Sequence, residues 1–417
     1  MKMTRFHPRS IASLAVAGLL AVACGGSSGG TTSGGSTGET LTFGAPLGLT
    51  GSLTKESQLT QQGYDLWVEW INQQGGIVVN GVKHPVKIKY YDDTSKADQS
   101  AVLMQKLITE DKAQFLLGPY GSAATATDAA IAEKNQVPMV EANGAAQSIF
   151  SNNYRYTFGV LSPANKYLQG VVDLAATLTP KPTKIAMLSA DDNFSIEVAD
   201  AINQYAPTKG MSVVLYKKYK SGSTNLVAEV QAAKNANPDI VLNSGHLQEA
   251  IAINKSAKEQ QLNAKMFGYS VGPSTPDFTN ALGKDADYVY DGSQWTPQVK
   301  YKNTFYLSVK DYVDAYKKKY PGQGEPDYHV AESTAACLAF QRAIENAKST
   351  DPKKVRDALA KLDVETFFGR IKFDDRGINT FKPMVVEQIQ GGVHHTVFPP
   401  DVADAKAKYP TPNWDQR

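Results

Sequence analysis

Residues 116–130 read LLGPYGSAATATDAA. A short apolar run gives way to Gly118, Pro119 and Gly121, then to small hydroxyl side chains, and then to a helix-forming stretch. A strand that stops at glycine and restarts as a helix leaves unpaired N–H groups at the helix N-terminus, where an anion can bind. The stretch is not a nucleotide loop, because it lacks both the lysine that a Walker sequence brings to the phosphates and the G-x-G-x-x-G spacing. It suits a small anion such as a carboxylate; taken alone, it is equally a tight turn that needs small residues for packing.

The same alternation continues on both sides. TLTFGAPL (40–47) reads as a strand, and LTQQGYDLWVEWINQQ (59–74) as a helix that stops at Gly75 and Gly76. Asn80-Gly81 signals a hairpin turn ahead of alternating apolar residues. Further on, QFLLGP, VPMVEA, KIAMLSA, MSVVLYKKY, DIVLNSG and AKMFGYS are short apolar runs, each separated from the next by a helical length. Repeated strand and helix predicts an α/β fold whose parallel sheets are covered on both faces. Ligands of such sheets collect beyond the carboxyl ends of the strands, where the opening loop lies. Residues 40–417 are too many for one comfortable core and predict two domains.

At the N-terminus, Lys2, Arg5 and Arg9 precede an apolar run over 11–23 that ends at Cys24, the pattern of a secretory signal. LLAVAC (19–24) resembles a lipoprotein cleavage box, with Ala21 where a larger aliphatic residue is usual. Residues 1–24 are therefore expected to be a signal peptide ending at an acylated Cys24, and the glycine, serine and threonine of 25–39 a flexible tether. No later stretch reaches the roughly 20 apolar residues of a membrane span. The expected product is an exported protein facing the periplasm or cell exterior, attached to the membrane by its lipid alone. Acylation of Cys24 leaves Cys337 without a partner, and its place in the amphipathic AESTAACLAFQRAIENA predicts a buried, unreactive thiol. With 43 basic and 41 acidic residues and a formal charge of +2, nothing suggests a nucleic-acid partner.

LTGSLTKESQLTQQGYDLWVEWINQQGGI, YYDDTS, LLGPYGSAAT, VPMVEANGA and FFGRIKFDDRGIN, in that order and spacing, resemble the Leu/Ile/Val-binding family of type I periplasmic solute-binding proteins that serve ABC importers. The resemblance implies two Rossmann-like lobes joined by three hinge strands, with a ligand enclosed between them. It places lobe 1 at 40–160 and 291–366, lobe 2 at 161–290 and 367–398, and a C-terminal tail at 399–417, with crossings near Val160, Asp291 and Phe367. It further implies a monomer that passes a small carboxylate, an amino acid or related compound, to an ABC permease and ATPase complex, without cofactor, metal or chemistry on the ligand. A sensor presenting its ligand to a membrane receptor is the alternative that the same fold allows.

By the same resemblance, Gly121 and Ser122 bind the ligand carboxylate, with Asn143, Gly144 and Ala145 completing the contact from the next strand end. Phe194 falls where an aromatic residue covers the ligand, and His246 where a tyrosine is common; His246 also stands where a helix begins. Trp295 is expected near the second hinge and Tyr328 at the cleft mouth, where either could also simply dock a neighbouring element. Ser270 occupies the position at which branched-chain amino-acid binders carry a glutamate for the ligand ammonium. A hydroxyl cannot neutralise an ammonium, so either another acid substitutes, with Glu56, Glu141 and Asp192 as candidates, or the ligand has no ammonium. The enzyme signature H-E-x-x-H is absent from the sequence. The adjacent His394 and His395 would face opposite sides of a strand, which disfavours a shared metal.

Overall fold

A computed structural model describes residues 37–417. The signal peptide, Cys24 and all but the end of the tether lie outside the described residues. The first sheet is built from β1 (Leu41–Leu47), β4 (Val86–Asp92), β5 (Phe115–Leu117), β6 (Met139–Glu141) and β7 (Thr157–Gly159), in the order β4-β1-β5-β6-β7 with every neighbour parallel. Between β1 and β4, the hairpin of β2 (Ile77–Val79) and β3 (Val82–His84) turns on Asn80 and Gly81 at φ 51° and 83°, the two left-handed residues a tight hairpin needs. Helices α1 (Thr54–Gln73), α2 (Ala97–Thr109) and α3 (Ser122–Asn135) complete this first run of lobe 1.

Lobe 2 carries α4 (Gln169–Thr177), β8 (Lys184–Ala190), α5 (Asn193–Tyr205), β9 (Ser212–Tyr219), α6 (Val227–Asn235), β10 (Ile240–Ser244), α7 (Leu247–Glu259), β11 (Met266–Tyr269), α8 (Pro276–Leu282) and β12 (Val289–Ser293). The chain then returns to lobe 1 as α9 (Val309–Lys319), α10 (Tyr328–Ala347) and α11 (Pro352–Leu359), followed by the hairpin β13 (Asp363–Thr366) and β14 (Gly369–Lys372). It ends in β15 (Val385–Gln390) and β16 (Val393–Phe398), which add to lobe 2 in the order β16-β15-β12-β11-β10-β8-β9. These last two strands are antiparallel to their neighbours, so only β8 to β12 form the parallel part of this sheet.

Hydrogen bonds locate the crossings. Gly159 closes β7 in lobe 1 before the first crossing, and the second follows Ser293, just past Asp291. The third differs from the expected position near Phe367. Gly159 donates to the Gly377 carbonyl and accepts from the Asn379 N–H, which keeps 377–379 on lobe 1 until β15 begins at Val385. Phe367 is instead buried in the turn between β13 and β14, stacked on Tyr312 at 4.0 Å. The tail at 399–417 is docked on lobe 2, where Thr411 N–H donates to the Lys265 carbonyl and the Trp414 indole to that of Leu262.

One contact decides where the site's last wall stands. α10 lies along α1 at Gly63, where a Cβ would come within 2.2 Å of the Val330 carbonyl and where the Thr334 hydroxyl donates to the Gly63 carbonyl at 2.7 Å. From Tyr328 to Gln341 every residue of α10 is buried, the polar ones included. A helix buried all round must find partners for its polar groups inside the protein.

Candidate ligand-binding site

The β5 and β6 ladder pairs Leu116 with Met139 and Leu117 with Val140, and resumes beyond both strands as a bridge between Tyr120 and Asn143. The Gly121 N–H donates to the Asn143 carbonyl at 3.1 Å, and the Ser122 hydroxyl accepts from the Ala146 N–H at 3.1 Å. Both loops are thereby tied at one sheet edge. No side chain caps α3, so the N–H groups of its first turn remain available and carry the positive end of the helix dipole. Gly121 contributes its left-handed φ of 91° but not its own N–H.

Gly121, Ser122, Asn143 and Ala145 line a small cavity together with Phe194, His246 and Tyr328. Sequence reasoning missed its other walls: Tyr120, Tyr167, Val271, His329 and Glu332. Tyr120 stood inside the diagnostic stretch itself, between Pro119 and Gly121, at the same strand end. A wider cleft adjoins the cavity, sharing Tyr120, Gly121, Ser122 and His246, so this group of residues divides the inner chamber from the mouth.

Three expected residues stand elsewhere. Gly144 lies against Thr125, whose Oγ1 a Cβ would meet at 2.5 Å, and its N–H donates to Glu141; it shapes the loop without lining the chamber. The Ser270 hydroxyl is wholly buried and donates to the Gly245 carbonyl while accepting from the Gly245 N–H, both at 3.3 Å. Its neighbour Val271 meets the chamber instead, because the chain turns after β11 toward Gly272 at φ 114°. Trp295 donates its indole N–H to the Phe367 carbonyl at 2.9 Å and packs edge-on against Tyr312 and Phe367, as a core residue bordering a different cavity.

His246 forms the cross-lobe bridge. Its Nδ1 lies 3.0 Å from the Tyr120 hydroxyl of lobe 1, and its Nε2 lies 3.3 Å from Asp192 of lobe 2. Burial alone would lower its pKa, but the Asp192 carboxylate outweighs that and holds the imidazole up at about 9. Burial likewise opposes the Asp192 charge, yet the His246 imidazolium and the N–H and hydroxyl of Ser195 hold its carboxyl well below the usual range. With both ring nitrogens protonated, Nδ1–H donates to the Tyr120 oxygen, and the phenol O–H is left to donate into the chamber. Phe194 leans on this group, 5.9 Å from the His246 ring and edge-on to Tyr167 at 4.9 Å.

The three candidate acids are all committed to protein donors. Glu56 of α1 reaches across the cleft to accept from the Leu247 N–H at the start of α7, at 3.2 Å. Glu141 accepts from the Gly144 N–H, and burial pushes its carboxyl up to about 8. Asp192 is held by Ser195 and His246.

Two α/β lobes that meet over one small chamber, with a helix N-terminus on one side and an imidazolium on the other, define a protein that clasps a small solute. The chain belongs to the periplasmic binding protein family, whose model matches residues 40–393. It is a solute-binding protein and not an enzyme, and the family places it outside the cytoplasm. Leu/Ile/Val-binding protein homolog 8 of Brucella abortus (strain 2308) is 24% identical over 384 residues, covering 88% of this chain and 92% of the relative. Homolog 7 of the same strain is 25% identical over 387 residues with the same coverage. Among solved structures, the branched-chain amino acid transporter substrate-binding protein LivJ from Streptococcus pneumoniae, in complex with isoleucine, superposes with a TM-score of 0.76 at 20% identity, covering 89% of this chain and 100% of LivJ. An ABC transporter solute-binding protein from R. palustris in complex with 4-hydroxybenzoate gives a TM-score of 0.73 at 19% identity, over 90% of this chain and 99% of its own.

Proposed function

We propose that this chain captures a small carboxylate between its lobes and delivers it to an ABC importer, held at the membrane by an acylated Cys24. The observation that carries this is the uncapped start of α3 at Ser122, open to the chamber that His246 of lobe 2 closes through its bond to Tyr120 of lobe 1. The ligand carboxylate would take N–H donors from α3, the Ser122 hydroxyl and the Tyr120 phenol, while Phe194 and Tyr167 cover its apolar part. Isoleucine and 4-hydroxybenzoate, the ligands in the two structural relatives, share a carboxylate and differ in nearly everything else. A ligand that touches both lobes favours their closed arrangement by the contacts made only there.

Titration calorimetry with amino acids and aromatic and aliphatic carboxylates tests this. At least one carboxylate should bind, its amide should not, and Ser122→Val should weaken it by about 1–3 kcal/mol through a lost donor. Equal binding of acid and amide, or an unchanged affinity in S122V, would overturn the carboxylate assignment.

A further inference from the structure

We propose that Glu332, with Asn143 and Tyr328, forms the receptor for a cationic nitrogen on the ligand, so that the chamber selects a zwitterion, an α-amino acid, over a plain carboxylate. This rests on the carboxylate reading above and supplies its second pole.

Three oxygens of the chamber lining are buried and have no hydrogen-bond partner: Oε2 of Glu332, Oδ1 of Asn143 and the Tyr328 hydroxyl. Native proteins hold few such groups, and each one needs a physical reason. The Asn143 amide is oriented by its other end, since Nδ2 donates to Ser333 Oγ at 3.0 Å and Ser333 in turn donates to the His329 carbonyl at 2.6 Å. That chain leaves Oδ1 as a bare acceptor. Tyr328 is fixed by stacking on His329 at 4.1 Å. An ammonium carries three N–H donors, and this corner offers three acceptors, one of them a carboxylate.

The surroundings favour a cation. Glu332 makes no ion pair among the described residues. Asp327 at the start of α10 adds negative potential. The one positive neighbour is Lys382, from the connection between β14 and β15, and its ammonium donates to the carbonyl and side-chain oxygens of Gln294. The remaining titratable groups around Glu332 are Tyr64 of α1, Tyr120, Tyr167, and Tyr328 and His329 of α10. Burial first, then Asp327 and Glu141, hold the Glu332 carboxyl well above the usual range. An ammonium entering this corner sets a cation against Glu332, the arrangement that favours the charged form of its carboxyl. The role that Ser270 cannot fill thus passes to lobe 1, on the helix that Gly63 allows against α1.

The test is calorimetry of the full chain, in detergent micelles, with matched pairs: L-leucine against 4-methylpentanoate, and L-phenylalanine against 3-phenylpropanoate. In at least one pair the amino acid should bind more tightly. Glu332→Gln should weaken that amino acid about thirtyfold or more while leaving its deaminated partner within about twofold. The matched pairs measured on the unaltered protein need no variant to fold. Tighter binding of the deaminated member, or equal weakening of both members in E332Q, would overturn the proposal while the carboxylate pole stands. No binding by any member of the panel would overturn both.

Discussion

His246 joins the lobes through a charge, and that charge has a pH window. Its folded pKa of about 9 lies above the ordinary 6.5, so the stabilisation it brings is complete below about pH 6.5 and is lost as pH rises through about 9. Asp192 is depressed, so its share is present above the ordinary carboxylate value and is lost only as pH falls well below it. Ligand affinity should therefore hold through neutral pH and fall as pH passes about 9. Asp192→Asn should bring the His246 titration, followed by NMR, down from about 9, because burial is then opposed only by the weaker pull of Glu249 and Glu56. A titration still near 9 in that variant would show that Asp192 is not its cause. At this scale the sequence was legible where backbone decides position. Gly121, Ser122, Asn143 and Ala145 follow strand ends, and strand ends are readable from apolar runs. Glu332 was not legible, since a glutamate among Ala331, Ser333 and Thr334 looks like the wet side of an amphipathic helix, and only the packing on α1 makes it an inside residue.

At the scale of elements, α10 is a wall of the chamber only because α1 admits it. Gly63→Ala would drive a methyl group into the Val330 carbonyl, with Ser333 as the next nearest neighbour at 2.7 Å. The expected cost is about 1–3 kcal/mol of stability, as for overpacked cores, and it should fall on binding too, because Tyr328 and Glu332 ride on the displaced helix. Thermal unfolding and calorimetry together check this; unchanged affinity beside a lowered melting temperature would mean that the chamber does not depend on that contact. Strand and helix alternation was plain in the sequence because buried parallel strands are continuous apolar runs. The antiparallel β15 and β16, and the late third crossing, were not, because a return strand carries no mark of which sheet it will join.

The proposed function gives the whole molecule two properties: a body that closes on a solute and, read from the sequence alone, a tether that holds the body at a membrane. Protein groups already bond across the cleft: the Leu247 N–H donates to Glu56, and the Gln147 and Ser148 N–H groups donate to Glu197. The tether is the part that rests on sequence alone. Cys24→Ser should move the protein from the membrane fraction to the soluble fraction with ligand binding intact, as judged by fractionation and calorimetry; continued membrane association would remove the lipid anchor from the scheme.

Cys337, the free cysteine among the described residues, is wholly buried in α10, and burial raises its thiol well above its ordinary pKa. It can meet an aqueous disulfide reagent only when lobe 1 opens around α10. The protein thus contains its own clock for that opening. A bound solute that grips Tyr328 and Glu332, on the same helix, slows the clock, so occupancy of the chamber can be timed from a sulfur atom that never touches the solute.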